Sequence, residues 1–199
     1  MDAAAAVLAR SGPQGLSATA VASEADVSTP SLYYYFASMP EIAAALAERL
    51  MGRITGELGA AIEAASTGLD AAAAVIERTV AYYCDRPDEW RLLFQGVAAL
   101  ELDPVGLREP ILPLTGALFA QLADRIEADL DAGLLRGDVH PRRLADLAWC
   151  QAQGILSMVM AARAGGTDTR FPVDELVADA VGLFRRGTAL PTGDRGVCR

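Results

Sequence analysis

Few side chains in this 199-residue chain could do covalent or metal chemistry. His140 is the single histidine, and Cys84, Cys150 and Cys198 are scattered with no C-x-x-C spacing. That leaves no donor set for a zinc site, no Ser-His-Asp arrangement and no Cys-His pair. His140 precedes Pro141 and reads as a surface or helix-capping residue, while the cysteines read as isolated buried thiols in a reducing cytosol. The carboxylates fall on polar helix faces without an acid–base constellation. Neither an enzyme nor a bound cofactor is expected. What stands out is a concentration of hydroxyls and phenols between Ser17 and Phe36, in the run SATAVASEADVSTPSLYYYF. Their chemistry is hydrogen bonding and stacking against a surface rather than bond breaking.

Two short helical patterns must position those groups. The first opens at Ser17, whose hydroxyl can satisfy an orphan backbone N–H of the first turn, and turns Val21, Ala22 and Ala25 inward. Asp26 and Val27 form the break. Ser28 then caps a second helix, with Pro30 tolerated in its first turn. Leu32, Tyr35 and Phe36 fall at i, i+3 and i+4 and are expected to be buried. Thr29, Pro30, Tyr33 and Tyr34 point the other way. Such a pair is a helix-turn-helix, and the second helix suits a major groove: its N-terminal end favours phosphate and its side chains reach base edges.

The segment ADVSTPSLYYYFASMPEI resembles the signature of the tetracycline-repressor-like (TetR) family of bacterial transcription regulators. There the turn usually reads Ala-Gly-Val-Ser, the recognition helix ends in an aromatic run, and Ser-Lys-Glu starts the next helix. The matching positions here are Ala25-Asp26-Val27-Ser28, Leu32 to Phe36, and Ser38-Met39-Pro40. The resemblance implies DNA contacts from Ser28, Thr29, Ser31, Tyr33 and Tyr34, with Ser17, Thr19 and Met39 at the backbone margin. Three departures stand out. Asp26 replaces the turn glycine, which Asp tolerates because it visits left-handed backbone more easily than most residues. Met39 replaces the lysine and removes a phosphate contact. The basic arm before the first helix is absent.

Composition agrees with an all-α chain: 52% hydrophobic residues, with little β-branched alternation. There is no lysine, and the 17 basic residues are all arginine. The net charge of −9 argues against a general nucleic-acid binder. Residues 1–50 hold Arg10 and Arg49 against Asp2, Glu24, Asp26, Glu41 and Glu48. Duplex binding normally draws on released counterions, so this acidity implies a start upstream of Met1 or weakened DNA binding. Asp2 and Arg10 exclude a signal-peptide reading. The longest uncharged apolar run, Leu147 to Ala162, falls short of the ~20 residues that span a bilayer, so a soluble, cytoplasmic protein is expected.

The rest of the chain reads as further helices, about nine in all. The first covers 2–11, with Ala4, Val7 and Leu8 inward, and stops at Gly12-Pro13. Ser38 and Glu41 form a capping box for a fourth, long helix to about Ala65, whose ladder is Ile42, Leu46, Leu50, Ile54, Leu58 and Ile62. Gly52, Gly56 and Gly59 interrupt it, either for close packing or as a compliant linker. No strand precedes them, so they are not a nucleotide fingerprint. Later helices are expected at 69–85, from Pro87 to near Leu102 with Val97 inward, 110–132, 141–163 with Leu144, Leu147, Ala148, Gln151, Ile155, Met158 and Val159 inward, and 172–186. The predicted domains are a DNA-binding domain at 1–50, a ligand-binding and dimerisation domain at 51–187, and a disordered tail at 188–199. The family resemblance implies a small apolar or amphipathic effector held near Trp90, Phe94, Phe119, Trp149, Met158 and Met160. It also implies a homodimer through helices 8 and 9, reading a palindromic double-stranded operator. The alternative is a helical ligand- or partner-binding module of the same fold with weakened DNA binding.

Overall fold

The computed structural model describes residues 1–95 and 109–188. Within them lie nine α-helices and one short 3-10 turn, in an order that follows the predicted one. The expected inward Val97, the helix end near Leu102, Cys198 and nearly all of the 188–199 tail lie outside the described residues.

Helix α1 (Asp2–Ser11) is a run of alanines, the best helix formers, with Asp2 in the first turn and Arg10 in the last, matching the helix dipole. Gly12, at φ +66°, ends it. The 3-10 turn Pro13–Gly15 leads to α2 (Ala18–Glu24), α3 (Thr29–Tyr35) and the long α4 (Met39–Ala64). Ser38 caps α4 by accepting the Glu41 N–H at 3.3 Å. Glu41 reaches back one residue further than a standard capping box, to the N–H of Ala37 at 2.5 Å. The six-residue ladder of α4 is fully buried throughout.

Next come α5 (Gly68–Asp85), α6 (Pro87–Phe94), α7 (Leu112–Asp131), α8 (Pro141–Ala164) and α9 (Val173–Thr188). Thr67 caps α5, accepting the Asp70 N–H at 3.0 Å. The α5 start lies against the α7 backbone, where a Cβ on Gly68 would meet the Arg125 carbonyl oxygen and the Ile126 Cα at 2.6 Å. The corner is tied twice more, by Asp129 accepting the Leu69 N–H at 3.2 Å and by Arg125 donating to the Ala65 carbonyl.

Backbone packing divides the chain into two compact units. One comprises Met1–Glu57 with Ala81–Leu118, and the other Leu58–Val80 with Phe119–Arg199. In the first, Leu8, Val21, Leu32, Ile42, Leu46, Leu50, Trp90 and Leu92 are buried. In the second, Ile62, Val75, Ile76, Leu122, Ile126, Ala148, Leu156 and Phe184 are.

Several inward assignments need correction. Ala25 is exposed, because α2 ends at Glu24. On α8 the buried stripe is Leu144, Ala145, Ala148, Ala152, Leu156, Val159 and Met160. Leu147 and Met158, expected inside, are 54% and 45% exposed. Alanine-rich turns let the small residues face inward and put the larger ones outside. Cys150 is exposed and Cys84 half-buried, so neither is the buried thiol expected. Helix α9 continues through Gly187 to a buried Thr188, whose hydroxyl donates to the Phe184 carbonyl at 2.9 Å.

Candidate nucleic-acid interface and aromatic clusters

The turn between α2 and α3 is built as its residue types demand. Ser17 caps α2 by accepting the Ala20 N–H at 3.2 Å. Asp26 stands at φ +54°, the left-handed conformation that glycine usually supplies. Ser28 caps α3, accepting the Ser31 N–H at 3.2 Å, and the two serine hydroxyls lie 2.8 Å apart. Pro30 occupies the first turn, and the chain leaves the helix at an extended Phe36.

Only Leu32 of α3 is fully buried, at 7% exposure. Tyr33 and Tyr34 are 43% and 84% exposed, facing out as expected. Tyr35 was expected to be buried and is instead 76% exposed. Tyr35 shares a helix face with Leu32 by spacing, but it is the last residue of α3, and the chain leaves the helix at an extended Phe36. Tyr35 stands edge-on to Tyr34, with ring centroids 5.2 Å apart, so two adjacent phenols project together. Sequence reasoning missed Tyr35 as a surface group; the helix end at the next residue was the available signal. Ser17, Thr19, Ser28 and Ser31 are exposed, while Thr29 and Met39 are half-buried.

The electrostatics around these groups are unusual for a duplex-facing surface. Arg10 pairs with Glu24 at 2.8 Å, and Arg49 pairs with Asp2. The hydrogen bond and charge of Arg49 hold the Asp2 carboxyl below the usual carboxylate range. Both arginines of residues 1–50 are thus engaged by carboxylates. Beside α1 lies a cavity of about 140 Å3, lined by Ala5, Leu8, Leu50 and the Asp85–Glu89 corner among others.

The aromatic residues expected near an effector fall into two clusters. In the first unit Trp90 is 3% exposed and lies 5.9 Å from Phe94, which is 36% exposed. Phe94 stands edge-on to Tyr83 at 5.8 Å, and Tyr83 stands edge-on to Tyr82 at 5.1 Å. Tyr82 donates to Glu89 at 2.8 Å and carries the Arg86 guanidinium over its ring at 4.4 Å. Glu89 also pairs with Arg53 at 3.3 Å. Burial, and then the hydrogen bond to Glu89, push the Tyr82 phenol up to about 12. In the second unit Phe119 and Trp149 form a T-shaped pair at 5.7 Å, with Arg142 5.8 Å above Phe119. Met160 is buried there, and Met158 faces out of α8.

Among the described residues no group of three or more His, Cys, Asp and Glu could hold a metal ion, and no helix is long and apolar enough to cross a membrane. His140 is an exposed N-cap to α8 without a side-chain capping bond.

Comparison with known proteins supports the reading of the turn. Residues 1–46 match the family model of bacterial regulatory proteins, tetR family. No curated protein matches the chain. Among solved structures, a protein of unknown function from Rhodococcus sp. RHA1 is similar, with 26% identity, a TM-score of 0.75 and coverage of 94% of this chain and 92% of that one. The transcriptional regulator FadR from Bacillus subtilis, solved with stearoyl-CoA, has 18% identity and a TM-score of 0.70, covering 92% and 94%. A protein from Saccharomonospora viridis assigned as a transcriptional regulator, solved with choline, has 18% identity and a TM-score of 0.74, covering 95% of each chain. Residues 1–46 therefore carry the N-terminal segment of the tetR family, on a fold shared with solved transcriptional regulators.

Proposed function

We propose that the protein is a homodimeric, ligand-responsive repressor that reads a palindromic operator with α3. The observation that carries this is the outward face of α3: Tyr33 and Tyr34 exposed beside a Ser28–Ser31 cap, within the segment that matches the tetR family. Thr29 sits with them, and Ser17, Thr19 and Met39 contact the DNA backbone at the margin. Residues 1–50 act as the reading domain, and residues 51–187 take the effector and dimerise.

Dimerisation uses α8 and α9, whose outer faces carry Leu147, Met158 and Leu183 at 54%, 45% and 63% exposure. Apolar side chains of that size on adjacent outer faces suit an interface, and a two-fold dimer places two recognition helices on a palindrome. The effector is small and apolar or amphipathic, and its candidate contacts are Trp90 and Phe94 in the first unit and Phe119, Trp149 and Met158 in the second. The stearoyl-CoA and choline held by two structural relatives support a small-molecule effector, though they do not name this one. Effector binding shifts α4 and so the spacing of the two recognition helices. The protein acts in the cytoplasm and catalyses no reaction.

The test is operator binding by Tyr33→Ala and Tyr34→Ala in the full chain, on promoter DNA of its own gene. Each substitution should weaken binding at least about tenfold while sedimentation still reports a dimer; unchanged affinity would remove those residues from the interface. One observation favours a second reading, a ligand- or partner-binding module with weakened DNA binding: both arginines of residues 1–50 are held by Glu24 and Asp2. Failure of the unsubstituted protein to select any promoter fragment would favour that module.

A further inference from the structure

Tyr83 is completely buried, yet its hydroxyl has no hydrogen-bond partner among the described residues. Buried polar groups are satisfied in the great majority of cases, so an orphaned phenol at the centre of a unit calls for an explanation. A resident water is a poor one. Water in a protein interior needs two to four polar partners, whereas the rings packed on Tyr83 are Tyr82, whose own hydroxyl is committed to Glu89, and Phe94. Phe94 is 36% exposed, so a ring at the surface lies directly against the buried phenol.

Resting on the reading of this protein as an effector-responsive regulator, we infer that the Tyr83 hydroxyl is the hydrogen-bond donor that seats the effector, and that the group it seats is a neutral acceptor such as a ketone or ester carbonyl on an apolar body. The wall of the seat is aromatic: Tyr82, Phe94 and Trp90 offer flat apolar surface around the Tyr83 hydroxyl, the composition of a site for a mostly hydrocarbon ligand. Burial selects against a carboxylate. Glu89 beside Tyr82 is itself paired with Arg53, and Arg86 lies over the Tyr82 ring, so desolvation rather than net charge carries the selection. Burial, then the neighbouring Tyr82 and Glu89, push the Tyr83 phenol well above its ordinary value, so it stays protonated and able to donate. An anionic head would meet the same desolvation.

The experiment is calorimetric titration of the full-length protein and its Tyr83→Phe variant with 2-nonanone and, as the anionic counterpart, nonanoate. Melting temperature and operator release are measured alongside. The wild type should bind 2-nonanone more tightly than nonanoate. Tyr83→Phe should bind the ketone about three- to tenfold more weakly, the loss of one hydrogen bond, and should melt no lower than wild type because it sheds an unsatisfied hydroxyl. Equal ketone affinity in the two proteins, a preference for nonanoate, or no ketone binding by the wild type would each overturn the inference. So would a lower melting temperature in the variant, since that would mean the hydroxyl already has a partner. Ketone binding that depends on Tyr83 but leaves the operator complex intact would uphold the Tyr83 assignment and remove the repressor reading instead.

Discussion

Asp26 and Tyr82 show two ways in which one side chain sets a local conformation or charge. At φ +54° an L-residue is strained, and Asp is among the few that tolerate it because its short polar side chain bonds locally. Asp26→Ala is therefore expected to lower unfolding stability by about 1 kcal/mol, and Asp26→Gly to lower it less, as urea titration would read. Tyr82 makes a prediction about pH. Its folded value is raised from 10 to about 12, so its share of stability is fully present below pH 10 and is lost as the pH rises toward 12. Unfolding titrations across that window should show a steeper loss in wild type than in Tyr82→Phe; parallel curves would mean the Glu89 bond contributes nothing. Much at this scale was readable from sequence. The caps at Ser17, Ser28 and Ser38, and the tolerance of Asp at the turn, follow from local chemistry that needs no tertiary information. Tyr35 was readable only as the last residue before a helix end, and whether such a residue is inside depends also on what packs against it.

Helices were legible where a strict apolar period met a clear stop signal. The α4 ladder, the Gly12 and Gly133 breaks and the Pro87 and Pro141 starts all appear where the sequence places them. Helix α8 was not, since alternating alanines and leucines fit two neighbouring phases of the same period, and only packing chooses between them. The glycines of α4 divide by environment in a way sequence could not give. A Cβ on Gly59 would approach Gln121 Oε1 at 3.3 Å, one on Gly52 would touch Leu114 Cδ1 at 4.0 Å, and one on Gly56 would meet nothing within 4 Å. Close packing therefore explains Gly59 but leaves Gly56 without a steric reason. Gly56→Ala should stabilise the protein by up to about 1 kcal/mol through helix propensity. If α4 transmits the effector signal, it should also blunt effector-driven operator release. Gly68→Ala should do the reverse, melting well below wild type, because its Cβ would meet α7 backbone at 2.6 Å. A harmless Gly68→Ala would mean that the α5–α7 corner readily opens.

For the molecule as a whole, the proposed function raises the question of how an acidic chain would read a polyanion. The net charge is −9, and both arginines of residues 1–50 are held in ion pairs, Arg10 with Glu24 and Arg49 with Asp2. Each phosphate neutralised by a free cation contributes about −0.9 to the slope of log affinity against log salt, and proteins making six to ten such contacts lose several orders of magnitude between 50 and 200 mM. The proposed dimer, whose reading domains would offer hydroxyls, phenols and paired arginines, should show a much shallower slope, about −2 or flatter. Specificity would then rest on the α3 face, with affinity falling by about 16-fold or less across that salt range. Glu24→Gln supplies the control. It releases Arg10 from its partner without touching α3, so binding should tighten at low salt and the slope should steepen by about 1 for each reading domain in which Arg10 finds a phosphate. A steep slope in the wild type would mean that the arginine pairs exchange their carboxylates for phosphates on binding. In that case Glu24→Gln would tighten binding but leave the slope unchanged.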